Sequence, residues 1–409
     1  MDIAKALGPE LDRALEAVSE PYEGVYLVGG TVRDLLRREP NFDVDVAVEG
    51  DAIQFARALA AELGGSWRPH GQFGTAVVRY GDGLHVDAVT ARRERYASPG
   101  ALPTVERAAI QEDLFRRDFT INAMAVSLKA DDHGHLVDPF DGTVDLETGT
   151  IRVLHDRSFV DDPTRIFRGV RYESRFGFRM DEHTEALART ASASGFVSRV
   201  SGARIREELI AVLEETQASD SIARLGRLGL DEAIHPDLAA DEEAAQLLTR
   251  LRDLDAHYDL DVPVWRLGLI ALARRMRRAE VEELVRRLQL GRRDARHVAA
   301  AVADAPRLVE QLRDGGLSAA EIVSLAEPDQ PDAPLFALAL ANLDPLHEYF
   351  DRLQHVRLDI GGADLATLGL RESPRVGEIL AELRRRKLNG EIDGRESELE
   401  AARELIQAP

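Results

Sequence analysis

Cysteine is absent from the 409-residue chain, so neither disulfides nor thiolate metal sites are available to it. Aromatic residues make up only 5% while charged residues make up 31%, which favours a helix-rich, salt-bridged protein over a β-sandwich. No apolar run approaches the roughly 20 residues of a membrane span, and nothing at the N-terminus resembles a signal peptide. A soluble, cytoplasmic protein with no membrane association is expected. A Walker A sequence, a G-x-G-x-x-G fingerprint, a repeat period and low-complexity segments are also missing. Positive charge is in short supply: the formal net charge is −21, which would push a polyanion away at long range. Any contact with RNA must come from a local basic surface. The length exceeds one compact core, so several domains are expected.

What is present is concentrated first between Tyr26 and Ala52. Tyr26 to Val28 is strand-like, Gly29-Gly30 breaks it, and Thr31 opens a helical TVRDLLRR. From Phe42 the chain alternates: Phe42, Val44, Val46 and Val48 share one face, Asp43, Asp45 and Ala47 the other. The apolar face meets a core, so Asp43 and Asp45 emerge together. Two neighbouring carboxylates repel unless a positive charge sits between them, and hard oxygen ligands favour Mg²⁺. The glycine turn adds bare backbone N–H groups that suit phosphate. Alone, a D-x-D is an ordinary solvated strand face. Joined to the glycine turn in one strand–turn–helix–strand unit, it describes a nucleotidyl-transfer site.

Residues 1–20 read as one amphipathic helix, and Asp51 as the cap of a helix running through Ala61. Strands follow around Thr75–Arg79 and Leu84–Val89, joined by a turn at Gly81-Asp82-Gly83. Asp87, on the second of them, could reach the D-x-D strand as a third carboxylate or end in a salt bridge. Residues 90–112 show no clean period and read as a long loop. In RRDFTINAMAVSL, Arg116 and Arg117 could clamp a triphosphate at one end of an apolar helix. Asp118 and Asn122, four apart, could hold ribose hydroxyls from one helical face; as plain structure they would be a cap and a buried amide. Asp138-Pro139-Phe140-Asp141-Gly142 is a turn with a hinge role.

Composition changes near residue 150, beyond which the pattern is helical. Asp161-Asp162-Pro163-Thr164-Arg165 opens a helix on which Arg165, Arg168, Arg171, Arg175 and Arg179 form a basic stripe. Such a stripe is ordinarily solvated, but here it is the obvious place to receive RNA phosphate. His235 reads as structural. Near the C-terminus, Gly361-Gly362 and the run Arg384-Arg385-Arg386-Lys387 suit either a packed helical end or a nucleic-acid hairpin.

These segments, in this order, resemble the class II tRNA nucleotidyltransferase and bacterial poly(A) polymerase family. The likeness rests on GGTVRD…DVDVAV, RRDFTINAMA, DPFDG, DDPTRIFRGVRYESRFGF and RIREEL, and covers about half the chain. It implies an α+β protein: a polymerase-β-like catalytic head at 1–150, then an all-helical neck (151–238), body (239–330) and tail (331–409) embracing a tRNA acceptor arm. It further implies that Asp43 and Asp45 ligate two Mg²⁺ ions; a catalytic place for Asp87 as a third carboxylate rests on the strand pairing alone. Gly29, Gly30 and Arg33 match the family's phosphate cradle; Arg116, Asp118 and Asn122 match its triphosphate and ribose contacts. Asp162 and Arg165 match its base-reading pattern, with Arg168 on the same helix. Asp161 stands where the family has Glu.

The base-reading chemistry follows from the functional groups. Cytosine and adenine both present an amino donor beside a ring-nitrogen acceptor, which a carboxylate at Asp162 and the Arg165 guanidinium complement. Uracil and guanine meet like with like at both contacts. At about 1–3 kcal/mol for each unpaired group, two mismatches reject the wrong base roughly 10²–10⁴-fold. The resemblance implies addition of CCA to tRNA from CTP and ATP without a nucleic-acid template, ahead of A-only addition and poly(A) synthesis. CC-only members have a shortened loop before RRDFT, and residues 90–112 are present here. A non-catalytic RNA-binding or nucleotide-sensing module is the competing class, and the intact D-x-D argues against it.

Overall fold

The computed structural model describes residues 3–39, 43–70, 74–81, 83–313, 315–329 and 331–407. Phe42 of the alternating strand, Asp82 of the expected turn and the first two residues of the N-terminal helix lie outside them. Two compact units divide the chain: residues 1–217 with 227–234, and residues 218–226 with 235–409.

The first unit starts with two helices rather than one. Gly8, at φ 88°, separates α1 (Ile3–Leu7) from α2 (Pro9–Ser19), and Pro9 sits where a first-turn proline belongs. Five strands follow: β1 (Gly24–Val28), β2 (Asp43–Glu49), β3 (Ser66–His70), β4 (Thr75–Tyr80) and β5 (Leu84–Thr90). Between them lie α3 (Gly30–Arg37) and α4 (Ala52–Glu62), the latter capped as expected by the Asp51 carboxylate, which accepts from the N–H groups of Ile53 and Gln54. The stretch expected to be a loop contains a ribbon, β6 (Arg92–Arg95) with β7 (Thr104–Arg107), and then α5 (Ile110–Phe115). Its alternating charges pair across the ribbon, Arg93 with Glu106 at 2.6 Å, so the strands need no apolar period.

β8 (Ala125–Ser127) and β9 (Leu136–Val137) complete a seven-stranded sheet of order β3-β4-β5-β2-β1-β8-β9. Only β2 and β5 run parallel in it, with Asp43 opposite His85 and Asp45 opposite Asp87. One face packs the main core: Val44, Val46 and Val48 of β2 against Phe55, Ala56 and Leu59 of α4 and Leu11 and Leu15 of α2. The other carries a smaller core in which Ala47 meets Ile110, Leu114 and Ala125. Both faces are therefore covered along β2 except at its start, where the two aspartates emerge.

Asp138 does more than bend the chain. Its carboxylate accepts from the N–H groups of Gly142 and Thr143 and so opens α6 (Gly142–Thr148). Thereafter come β10 (Thr150–Ile151), α7 (Ser158–Asp161), α8 (Thr164–Phe176), β11 (Arg179–Met180), α9 (Glu182–Ala193) and α10 (Gly202–Leu213). β10 pairs in parallel with β11. Gly177, at φ 71°, ends α8. Arg179 consequently leaves the expected basic stripe, which stops at Arg175.

The second unit is helical throughout. Its helix Asp332–Ala341 is buried along nearly its whole length and packs against Arg292–Arg313. Buried at the same place, Arg266 pairs with Asp332 at 2.7 Å and His297 with Asp332 at 3.0 Å. His235 is buried and its Nδ1 accepts from the Asp237 N–H, a structural role as expected. The C-terminal run is not a free basic surface: Arg384 pairs with Glu327, Arg385 and Arg386 with Glu382, and Lys387 with Asp359 and Glu398. The last helices, Pro374–Leu388 and Gly394–Gln407, close over Leu365, Ile379, Leu383 and Ala402, which favours the packed reading. Among the described residues no helix is long and apolar enough to cross a membrane.

Candidate active site

The D-x-D pair is positioned by a residue that the sequence did not single out. Thr31, on the first turn of α3, donates its hydroxyl to the Asp43 carbonyl at 2.9 Å and accepts from the Asp45 N–H at 2.8 Å. One buried side chain thus ties the helix after the glycine turn to the strand carrying both carboxylates. Gly29 has φ 64°, open to glycine, and a Cβ there would lie 2.7 Å from Arg117 Nη1. The turn is bare because a guanidinium fills the space beside it.

Burial pushes the Asp45 carboxyl up to about 6; Arg117 pulls the other way, while Asp87 and Asp43 push it further. Asp43 is exposed and lies 3.1 Å from His85 Nε2, which is 3.9 Å from Asp87 Oδ2. A buried carboxylate raised this far, with a second beside it, is a donor set that a divalent cation would relieve. Asp87 faces the same way as Asp45 across the parallel pair. Among the described residues no three His, Asp or Glu side chains gather closely enough to hold a metal ion.

Arginines surround this pair. The cleft of about 570 Å³ is lined by seven arginines against five carboxylates, a local cationic surplus in a chain of net charge −21. Arg116 and Arg117 are held by one buried acid, Asp113, at 2.7 and 2.9 Å. Burial would raise Asp113, but the two guanidiniums, Arg117 foremost, overcome it and keep it below its ordinary range. Arg116 also reaches Glu94 at 3.1 Å. Arg33 grips Asp34 through two bonds, donates to Asn122 Oδ1 at 2.7 Å and lies over the Phe176 ring at 4.6 Å.

Asp118 and Asn122 are not on an α-helix. The segment forms a single 3₁₀ turn at Thr120–Asn122 and then enters β8, where Ala125 packs into the smaller core and Val126 into the main one, so both faces of the strand are covered. The turn still brings Asn122 Nδ2 to Asp118 Oδ1 at 3.0 Å. Asp118 Oδ2 accepts from Arg168, which bonds the Tyr172 hydroxyl in turn. Burial alone would raise Asp118, yet Arg168 and Asn122 together hold it at about 2. A folded-state value below the ordinary 3.8 stabilises the protein above about pH 4, and that contribution is lost as pH falls through 2. The shift corresponds to about 2 kcal/mol. Asp118→Asn is therefore expected to lower stability at pH 5, with the difference from the parent shrinking toward pH 2. Urea denaturation of both proteins across that range checks it, and a pH-independent gap would refute the pairing.

At the start of α8, Asp162 Oδ1 accepts from the Thr164 N–H, the Thr164 hydroxyl and Arg204 Nη2 at 3.1, 2.7 and 2.7 Å. All three bonds fall on one oxygen, Oδ1. Arg165 is buried, with Nη1 on Ser158 Oγ at 2.8 Å and Nη2 on the Arg116 carbonyl at 2.6 Å. Both side chains line the cleft. Asp161 does not: it pairs with Arg157 at 2.9 Å and lines a neighbouring cavity. A carboxylate one residue before Asp162 lies on α7, and the chain turns between the two.

Comparison with known proteins bears on this arrangement. Residues 25–152 match the family model for the poly A polymerase head domain, and residues 177–242 match "Probable RNA and SrmB- binding site of polymerase A". An A-adding tRNA nucleotidyltransferase of Geobacter sulfurreducens is 37% identical across 94% of this chain, which spans 45% of that protein's length. One from Halalkalibacterium halodurans is 34% identical, covering 93% of this chain and 88% of the relative. This chain belongs to the class II tRNA nucleotidyltransferase family. The Thermotoga maritima CCA-adding enzyme complexed with tRNA superposes at a TM-score of 0.80 with 31% identity, over 100% of this chain and 99% of the other. Nucleotidyltransferases of this family use divalent metals.

Several contacts that build the site were not legible in the motifs. Asp113 lies three and four residues before the two arginines it holds, a spacing that would have exposed it had α5 been recognised. Glu94 sits on the ribbon, and Arg204 comes from α10, 42 residues after its partner. Glu208, on the same helix as Arg204, is raised by burial against the opposing pull of Arg168 and Arg171. No local pattern announces contacts of that range.

Proposed function

We propose that this protein builds the 3′-terminal CCA of tRNA from CTP and ATP without a nucleic-acid template, releasing pyrophosphate. The observation that carries the reading is one cleft holding Asp43 and Asp45, the Gly29–Gly30 turn, the Arg116–Arg117 pair, and Asp162 with Arg165. Residues 1–150 would serve as the catalytic head and 151–238 as a neck bearing the base-reading helix. The body (239–330) and tail (331–409) would receive the tRNA.

In this reading Asp43 and Asp45 hold Mg²⁺, which when bound lowers the pKa of the primer 3′-OH and steadies the triphosphate. The N–H groups of the glycine turn and the guanidiniums of Arg116 and Arg117 take the phosphates, pre-aligned by Asp113. Asp118 and Asn122 address the ribose through the rigid chain that links Arg33 to Arg168. Asp162 Oδ2 accepts from the amino group of cytosine or adenine while Arg165 donates to the ring nitrogen. Asp161 takes no part in base reading, and Asp87 acts on the pair through its charge.

A-only addition is the second reading, favoured by the A-adding relatives from Geobacter sulfurreducens and Halalkalibacterium halodurans. Three tRNA transcripts, ending before CCA, after C and after CC, separate the two when offered CTP and ATP singly and together with Mg²⁺. Completion of all three supports CCA addition. Extension of only the CC-ended transcript, with ATP, replaces it by A-only addition, and no extension of any transcript defeats both.

A further inference from the structure

Beside the cleft lies a larger cavity, of about 900 Å³, for which the proposed chemistry has no use. Glu94, Tyr96, Arg116 and Arg165 line both, so a single wall of side chains divides them. Its floor is aromatic. Phe115, the last residue of α5, is 48% exposed although it is a phenylalanine next to a core. Its ring lies 5.0 Å from that of His155, tilted by 31°, and 6.0 Å from that of Phe140. A lone exposed phenylalanine needs no explanation, but three rings assembled on the floor of a cavity make a stacking platform.

The rim supplies polar groups of both kinds. Arg95 and Arg157 are largely exposed, and Gln111 can donate and accept. Four carboxylates, Glu94, Glu112, Asp156 and Asp161, nearly balance the five arginines there, so the cavity is not built for a cluster of phosphates. It suits a flat ring with a mixed donor and acceptor edge, tethered by little charge. Burial and the nearby Arg165 hold His155 below its ordinary range, keeping its ring neutral near pH 7. A nucleobase has that shape and that edge. In the proposed reaction the terminal hydroxyl of the primer has to reach the neighbouring cleft, which makes the primer's unpaired 3′ end the nucleobase source at hand on the other side of this wall.

We propose that this cavity is a stacking subsite for a base in the unpaired 3′ end of the RNA primer, with Phe115 as the ring on which it stacks. The inference rests on the tRNA nucleotidyltransferase reading, and extends it to Phe115 and His155, which lie outside the five motifs that support that reading. Asp161 then gains a place: it holds Arg157 at the rim of the primer subsite instead of reading the incoming base.

Two measurements on the full-length protein test it. In AMP incorporation onto CC-ended tRNA, Phe115→Ala should raise the KM for tRNA roughly five- to hundredfold, the range base–aromatic stacking supplies. The KM for ATP should move less than twofold, and Phe115→Trp should restore the parental KM for tRNA. Separately, a single-stranded RNA ending in ACC with 2-aminopurine in place of the A should be quenched on binding to the parent protein without ATP, and less so by Phe115→Ala. An unchanged KM for tRNA, or absence of quenching, overturns the subsite and leaves the aromatic floor to a protein partner. Equal rises in the KM values for tRNA and ATP also overturn it, since Phe115 would then act only by supporting Arg116. Failure of the parent to extend any tRNA, with quenching intact, removes the enzymatic reading and leaves the RNA-binding subsite standing.

Discussion

Asp45→Asn is expected to abolish incorporation while leaving tRNA binding nearly unchanged. The substitution keeps the shape of the side chain and the Thr31 hydroxyl bonds to the β2 backbone, so strand and helix should stay in place. It removes the more buried of the two carboxylates. If a metal contributes several kcal/mol at this position, kcat should fall by roughly 10³-fold or more. A neutral amide does not carry the cost of burying a charge beside Asp43 and Asp87, so the metal-free variant should be at least as stable as the parent. Mg²⁺ should raise the Tm of the parent by mass action, and the variant should respond little. Retained incorporation, or an equal Mg²⁺ response in both proteins, would remove Asp45 from the metal site. Asp43→Ala should lose activity similarly, but with a smaller effect on stability, since Asp43 is exposed.

Arg165→Ala carries the second large effect, on the choice of base. In the proposed reading Arg165 supplies one of the two contacts that separate adenine and cytosine from guanine and uracil. Its loss should lower the kcat/KM preference for ATP over GTP roughly tenfold to hundredfold, one mismatch at about 1–3 kcal/mol. Stability should fall too, because Ser158 Oγ and the Arg116 carbonyl lose their donor and a buried hole opens. Competition between ATP, GTP and UTP on CC-ended tRNA reads the first effect, and urea denaturation the second. A variant that still rejects GTP and UTP as firmly as the parent would exclude Arg165 from base reading. Arg165→Lys helps separate the two roles, since it retains charge without the planar fork.

The two aspartates illustrate how far local pattern reaches. Period-two alternation in β2 and the glycine break before α3 were enough to put Asp43 and Asp45 on one face and the turn beside them. The same reasoning failed at RRDFTINAMAVSL. Its apolar run is equally compatible with a buried helix and with a central strand, and burial on both faces of the sheet made Ala125–Ser127 a strand after the 3₁₀ turn at Thr120–Asn122. It failed again over residues 90–112, where the β6–β7 ribbon is held by cross-strand charges that leave no apolar period. Arg384 and Lys387 looked available in sequence because their carboxylate partners, Glu327 for the first and Asp359 and Glu398 for the second, are remote or lie on other helices, whereas Glu382, which holds Arg385 and Arg386, lies on their own helix.

The sequence alone therefore determined the elements whose cause is local: the Asp51 cap, the glycine turn, the D-x-D alternation, the proline-led start of α8 and the helical second half. Spacing within one strand or one helical turn is a property of the backbone and needs no partner. Tertiary structure alone decided the long-range partners of the site's arginines, because contacts such as Arg204 to Asp162 and Arg165 to the Arg116 carbonyl span many residues and depend on how helices pack. It also decided that Asp161 faces away from the cleft that Asp162 lines. The turn between α7 and α8 sends successive carboxylates to different cavities, a direction that packing sets and residue identity does not.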